Sequence, residues 1–436
     1  MYINVLGAGL AGCEAAYQIA KRGIKVRLYE MKPHKMTPAH RSEMFCELIC
    51  SNSLKAARIE SAAGLLKEEM RRIGSLLMDC ADQCAVPAGG ALAVDRDQFS
   101  AMVTQAVKNH PLIEIIELEV TDIPQDGITV VATGPLTSDA LAEKIASMCG
   151  GSLHFFDAAA PVVMAESIDM RYAFTASRYD KGEDDAYINC PMNKEQYELF
   201  HEQLINAERA PRHDVDVQNP KVYEGCMPVE ILAQRGLQTL RFGPMKPVGL
   251  RDPHTGHRPW AVLQLRTENA AKTMYNLVGF QTNLKFPEQK RVFGMIPALK
   301  NAEYVRYGVM HRNTFLDSPR VLNADYSLRS NGRIFFAGQM TGVEGYMESA
   351  SSGMIAGMNA VKRYRNEDTV VLPAVTMIGA LSRYISDETV RDFQPMGANL
   401  GIFPPLDVAV RDKRERAAAY AQRSLNELSR VAARLQ

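Results

Sequence analysis

Residues 7–12 read Gly-Ala-Gly-Leu-Ala-Gly, a G-x-G-x-x-G spacing placed between an apolar run and an amphipathic one. Few short motifs restrict a fold so strongly. The preceding Tyr-Ile-Asn-Val-Leu of residues 2–6 reads as a buried strand. Residues 10–22 read as a helix whose inner face carries Leu10, Ala15, Ile19 and Ala20, with Gly23 at its C-terminal end. A second strand follows at 24–29, and Glu30 closes it, 18 residues after Gly12. In such a βαβ start Gly7 permits the tight turn, Gly9 lets the backbone approach a pyrophosphate, and Gly12 lets helix and strand come close. The helix N-terminus, including Ala8, Leu10 and Ala11, offers free N–H groups and a positive dipole end to phosphates. Glu30 is placed to accept hydrogen bonds from ribose hydroxyls.

The motif by itself admits either FAD or NAD. Two later segments favour FAD. Ala132-Thr133-Gly134 ends a short apolar strand at 128–132, and Arg333-Ile-Phe-Phe-Ala-Gly338 is a strand that delivers a glycine, as in flavoproteins of the two-dinucleotide-domain type. Between them, from about 185 to 325, the chain becomes richer in proline, glycine and charge and holds no second fingerprint. The expected fold is therefore α/β: a FAD-binding Rossmann-like domain of the two-dinucleotide-domain flavoprotein type, with an inserted α+β domain. The expected division is 1–185 with 326–436 for the discontinuous FAD domain and 186–325 for the insert.

Other elements read as follows. A helix is expected over 54–72, with Ser51-Asn52-Ser53 as its N-cap, a Gly/Ala-rich turn region over 84–94, and a helix near 349–364. The segment 411–436 reads as a helix with seven Lys/Arg against three Asp/Glu. The 436 residues carry 50 Lys+Arg and 50 Asp+Glu, so no global charge announces a partner. No leader and no uncharged apolar run of the roughly 18 residues a span requires is visible. Eight scattered cysteines suggest reduced thiols and a cytoplasmic location.

Two cysteines merit attention. Cys226 lies in Tyr223-Glu-Gly-Cys-Met-Pro228, where Gly225 and Pro228 place it on a loop, open to act as a nucleophile or to be incidental. Cys50 precedes the expected helix N-terminus, whose dipole favours a thiolate; a half-buried structural thiol is the alternative. Cys46/Cys50 and Cys80/Cys84 are C-x3-C pairs able in principle to bind zinc, but the spacing is loose and no metal is expected.

Longer segments carry a resemblance. They are Asn4-Val-Leu-Gly-Ala-Gly-Leu-Ala-Gly12, Leu28-Tyr-Glu-Met31, Cys50-Ser-Asn-Ser-Leu54, Val86-Pro-Ala-Gly-Gly-Ala-Leu-Ala-Val-Asp95, Tyr223-Glu-Gly-Cys-Met-Pro228, Phe242-Gly-Pro-Met-Lys-Pro-Val-Gly249, Tyr307-Gly-Val-Met-His-Arg-Asn-Thr314 and Phe336-Ala-Gly-Gln-Met-Thr-Gly-Val-Glu-Gly-Tyr346. Together they resemble the bacterial folate- and FAD-dependent tRNA uracil-5-methyltransferases over essentially the whole chain. The resemblance implies methylation of the T-loop uridine of tRNA, with 5,10-methylenetetrahydrofolate as one-carbon donor and NAD(P)H as reductant of the FAD. It implies Cys226 as nucleophile and Cys50 as a second functional thiol. His311 is a candidate to stack on the pterin. Arg241, Lys246, Arg251 and the basic C-terminal helix are candidates to hold RNA. Alternatives are the same chemistry on ribosomal RNA, a wobble-uridine-modifying FAD protein, a plain NAD(P)H:flavin oxidoreductase, and a non-catalytic RNA-binding flavoprotein.

Overall fold

A computed structural model describes the chain except residues 1, 38, 152, 181–186, 211–226, 392 and 432–436, and except the side chains at 153–157, 180 and 311–314. Its first sheet has six strands in the order Ser327–Leu328, Asn331–Phe336, Ile128–Val131, Tyr2–Leu6, Lys25–Glu30, Ile113–Glu117. All neighbours are parallel except the outer antiparallel pair that starts at Ser327. The central strands are apolar on both faces, as a sheet covered on both sides requires: Ile3, Val5, Leu6, Val130, Val131, Phe335 and Phe336 are fully buried. Two helices, Leu10–Lys21 and Tyr346–Tyr364, cross against each other above this sheet. Their approach is close: a Cβ at Gly353 would lie 2.1 Å from the Ala11 carbonyl oxygen, and one at Gly357 2.7 Å from that of Ala15.

The second sheet is antiparallel, in the order Phe174–Thr175, Tyr187–Met192, Ala261–Thr267, Met274–Leu277, Val162–Met164, Tyr304–Arg306. Its strands come from both sides of residue 186. Helices Lys194–Asn206 and Phe286–Phe293 pack into its core, where Phe280 stacks on Phe200 with ring centroids 6.1 Å apart and meets Phe293 edge-on at 5.2 Å. A two-stranded antiparallel ribbon, Leu153–Ala158 with Met310–Phe315, carries the chain out of the first sheet and back.

Two expectations need correction. The helix foreseen over 54–72 begins only at Ala62, where Ser61 caps it by accepting from the Gly64 N–H at 3.0 Å. Residues Ser53–Ala56 form a strand instead, because Leu54 is drawn into the core while Lys55 turns to φ +65°, a conformation no helix tolerates. The 84–94 region is not a plain turn: Ala85–Val86 and Ala91–Val94 pair with each other, and Ser53–Ala56 joins them as a three-stranded sheet.

Candidate functional site

The strand Tyr2–Leu6 ends at a turn that the glycines make possible. Gly7 takes φ +93°, and a Cβ there would meet Ala132 O at 2.8 Å; a Cβ at Gly12 would lie 1.7 Å from Gly7 O. Gly9 is exposed, with nothing within 4 Å of where its Cβ would be. It is also the N-cap of the glycine helix and supplies no side chain to its first turn, which holds no acidic residue. The helix thus presents unsatisfied N–H groups to the space in front of it. Glu30 closes the turn from the second strand: one carboxylate oxygen accepts from Ala8 N–H at 2.8 Å, the other from Lys32 N–H at 3.0 Å.

In front of this turn lies a cavity of about 420 Å³, within the size range of small-molecule and cofactor sites. Gly7, Ala8, Gly9, Leu10, Ala11, Glu30, Thr133, Gly134, Gly338 and Cys50 all line it. Gly12 stands behind the wall, against Gly7. The uncapped helix end and the open face at Gly9 fit an anionic dinucleotide with its pyrophosphate at this helix N-terminus. Gly338, at φ +86°, is held by its N–H donating to Ser352 Oγ at 2.7 Å.

Cys50 reaches this cavity on a loop, not at a helix N-terminus, since the next helix after it starts only at Ala62. The loop is clamped from three directions. The Tyr346 hydroxyl accepts from Cys50 N–H at 2.7 Å and from Ser51 N–H at 3.1 Å. Arg96 donates to Leu48 O at 2.6 Å and pairs with buried Glu268. Arg266 donates to Ser51 Oγ at 2.6 Å and to Asn52 Oδ1 at 3.0 Å, while Asn52 Nδ2 donates to Val94 O and Thr267 O at 3.0 and 2.8 Å. The Cys50 thiol itself faces Ala158 O at 3.7 Å. Burial, with Cys50 beside it, pushes the Tyr346 phenol above its ordinary range. Burial and the neighbouring Arg96 pull the Arg306 guanidinium down to about 10.

Beside Tyr346, Lys55 Nζ donates to Glu348 Oε1 at 2.6 Å and Glu344 O at 3.1 Å, and Gln339 donates to Glu344 Oε2 at 2.6 Å. These residues share the cavity wall. Tyr346, Arg96, Arg266 and Lys55 were not singled out from sequence. The only available signal was that Tyr346 closes one of the long motifs; a lone arginine or lysine in a helix or strand otherwise reads as ordinary surface.

The remaining candidates divide. Cys226 lies outside the described residues, three positions before Val229, whose N–H donates to the carbonyl of cavity-lining Gln281 at 2.7 Å. His311 sits in the strand Met310–Phe315, its backbone opposite Asp157, and its side chain is outside the described set. Arg241 is committed within the protein: its guanidinium lies 3.7 Å above the Trp260 ring centroid and its Nε donates to Trp260 O at 2.8 Å. Lys246 and Arg251 are exposed. The C-terminal helix runs Lys413–Val431, and its Arg423 is spent on Pro404 and Pro405 carbonyls. Among the described residues no three His, Cys, Asp or Glu side chains stand where they could share a metal ion, and seven cysteines, including both C-x3-C pairs, form no disulfide. No described helix is long and apolar enough to cross a membrane.

A family described as glucose inhibited division protein A matches residues 2–368. Among curated proteins, the methylenetetrahydrofolate–tRNA-(uracil-5-)-methyltransferase TrmFO of Acetivibrio thermocellus is 61% identical over 425 residues, 97% of each chain. The protein of the same description from Desulfitobacterium hafniense is 58% identical over 427 residues, covering 98% of this chain and 97% of its own. That from Listeria monocytogenes is 55% identical over 434 residues, 99% of each. The chain belongs to this family. Its fold is shared more widely. Aquifex aeolicus GidA in its form II crystal superposes with a TM-score of 0.73 at 15% identity, over 100% of this chain and 73% of that one. The family's FAD-dependent flavoprotein architecture is the one described above: a Rossmann-like domain with a further domain on a second sheet.

Proposed function

We propose that the chain is an FAD-dependent, folate-dependent tRNA uracil-5-methyltransferase that converts the T-loop uridine to 5-methyluridine, with 5,10-methylenetetrahydrofolate as one-carbon donor and NAD(P)H as reductant. Full-length kinship to enzymes named for folate-dependent tRNA uracil-5 methylation supports the reaction class. The observation that carries the site assignment is that Cys50 stands on the wall of the same cavity as the glycine turn and Gly338. The inserted domain, read over 186–325, is then the RNA-facing part. The reaction belongs in the cytoplasm, where tRNA and reduced thiols coexist.

The chemistry sets the roles. Uracil C5 is a poor nucleophile. Addition of the Cys226 sulfur at C6 pushes the ring electron pair onto C5 and O4, and C5 then bonds the folate's methylene carbon as that carbon's bond to a folate nitrogen breaks, the nitrogen leaving with the electron pair and taking up a proton. The C5 proton must leave before the Cys226–C6 bond can break; we assign its removal to Cys50, on the loop whose backbone Tyr346 and Arg96 hold. Bound FAD, held by residues 7–12 with Glu30 and Gly338, supplies the reducing equivalents that turn methylene into methyl. His311 is assigned to stacking on the pterin.

The test is direct. The protein is incubated with NAD(P)H, labelled methylenetetrahydrofolate, and tRNA transcripts whose T-loop uridine is intact or replaced. Label is expected only in the intact transcript, and transfer that survives the replacement sinks the T-loop assignment. Cys226→Ala is expected to lower transfer at least 10²-fold; full activity in that variant removes the nucleophile.

A further inference from the structure

A formally neutral chain has reason to spread its charge. Residues 234–260 do not: they carry five Lys/Arg and a single acid, Asp252. That acid is buried and turned inward, its carboxylate accepting from His254 N–H at 2.9 Å. Arg241 is occupied by Trp260. Lys246, Arg251 and Arg258 are exposed and form no ion pair among the described residues.

The same segment exposes large apolar rings. Phe242 is 82% exposed at the end of the short helix Thr239–Phe242, and Tyr179 is 57% exposed. Tyr179 is fastened to the segment: its N–H donates to Gly249 O at 2.9 Å, and its ring lies so close over Gly249 that a Cβ there would be 2.9 Å away. Arg178 Nη1 donates to Val248 O at 2.8 Å and Nε to Gln264 Oε1 at 2.9 Å, which fixes the rim from the other side. The segment also packs next to a stretch that lines the cavity. Pro244 seals against Gly279, where a Cβ would meet it at 2.6 Å, and Gln281, two residues on, lines the cavity.

We propose that the 242–258 face, with Tyr179, docks the folded RNA substrate: Phe242 offers its ring to an unpaired base, and Lys246, Arg251 and Arg258 meet phosphates. The inference rests on the tRNA reading above and deepens it. Unpaired cations around outward rings match RNA loops, where bases stack on aromatic side chains and phosphates supply the countercharge. A membrane surface would call for a continuous apolar stripe, and here the rings stand singly on loops and a one-turn helix.

The experiment titrates an unmodified tRNA transcript into the flavin-loaded enzyme at several salt concentrations. Phe242→Ala is expected to weaken binding about tenfold or more, Phe242→Trp to restore it, and Phe242→Leu to fail to restore it. The triple variant Lys246→Ala/Arg251→Ala/Arg258→Ala is expected to reduce the slope of log K against log salt by about two to three. Flavin content and thermal unfolding, read in parallel, report on folding. Wild-type methyl transfer to tRNA with unchanged isotherms in folded variants overturns the docking face and leaves the tRNA reading intact. No tRNA binding or transfer by the wild type overturns both. Binding to phosphatidylserine vesicles that tRNA does not displace also overturns the proposal.

Discussion

A Cβ at Gly12 would sit 1.7 Å from the Gly7 carbonyl oxygen, and that oxygen belongs to the turn proposed to hold the dinucleotide. Neither group can retreat, because Gly7 is itself wedged against Ala132. Gly12→Ala is therefore expected to push the helix off the strand, to cost about 1–3 kcal/mol of stability by overpacking, and to weaken FAD binding by tenfold or more, measured by flavin titration of the apoprotein. Normal affinity in a folded Gly12→Ala protein would contradict this packing account. Residue chemistry misleads a few positions later. Ser51, Asn52 and Ser53 are types that cap helices. Here Ser51 and Asn52 bind Arg266, Val94 O and Thr267 O, Ser53 Oγ accepts from Lys55 N–H, and the cap of the next helix falls to Ser61.

Among elements, the pair formed by Leu10–Lys21 and Tyr346–Tyr364 couples the two ends of the chain. Gly353 and Gly357 let the backbones touch, so Gly353→Leu is expected to separate the helices and to lower the unfolding temperature by several degrees, with flavin loss, in a thermal melt. A second junction is electrostatic. Glu69, fully buried on the helix Ala62–Ile73, accepts from Met377 N–H at 2.7 Å, from Ile378 N–H at 2.9 Å and from the Ser424 hydroxyl, so one carboxyl ties three helices together. Burial nevertheless pushes its pKa from 4.5 up to about 7, against the pull of those donors. Between these values the folded state keeps a proton that the unfolded chain has released, so this group's contribution to stability falls as pH rises from about 4.5 to about 7. The loss is on the order of 3 kcal/mol at most. Urea unfolding across that window should show the slope in the wild type and a flatter profile in Glu69→Gln; parallel profiles would assign the pH dependence elsewhere.

For the whole molecule, the Arg96–Glu268 pair links the start of the helix Arg96–Lys108 to the residue just past the strand Ala261–Thr267 of the second sheet. Arg96 is 14% exposed and Glu268 4%. Removing one partner of so buried a pair strands the other, and Arg96→Ala is expected to cost about 3–5 kcal/mol. It should also free the Leu48 carbonyl and make Cys50 alkylation, followed by peptide mass spectrometry, measurably faster. An unchanged alkylation rate would show that the Tyr346 and Arg266 contacts hold the loop without it.

What could be read from the chain alone was what depends on near neighbours. Strand, glycine turn, helix, strand and Glu30 lie within 30 residues, and their periodicity and spacing specify the dinucleotide turn before any folding is known. Gly338 was legible for the same reason, as the end of an apolar run. The surroundings of Cys50 were not. Its clamp is assembled from residues 96, 266 and 346, and the hydrogen bond from Cys50 N–H to the Tyr346 hydroxyl spans 296 positions. Contacts over such separations leave no period in the sequence. Only the tertiary structure decided that the thiol faces the cofactor cavity from a loop, that Arg241 belongs to Trp260, and that the second sheet recruits strands from before residue 186, because each follows from which surfaces meet once the apolar faces are buried.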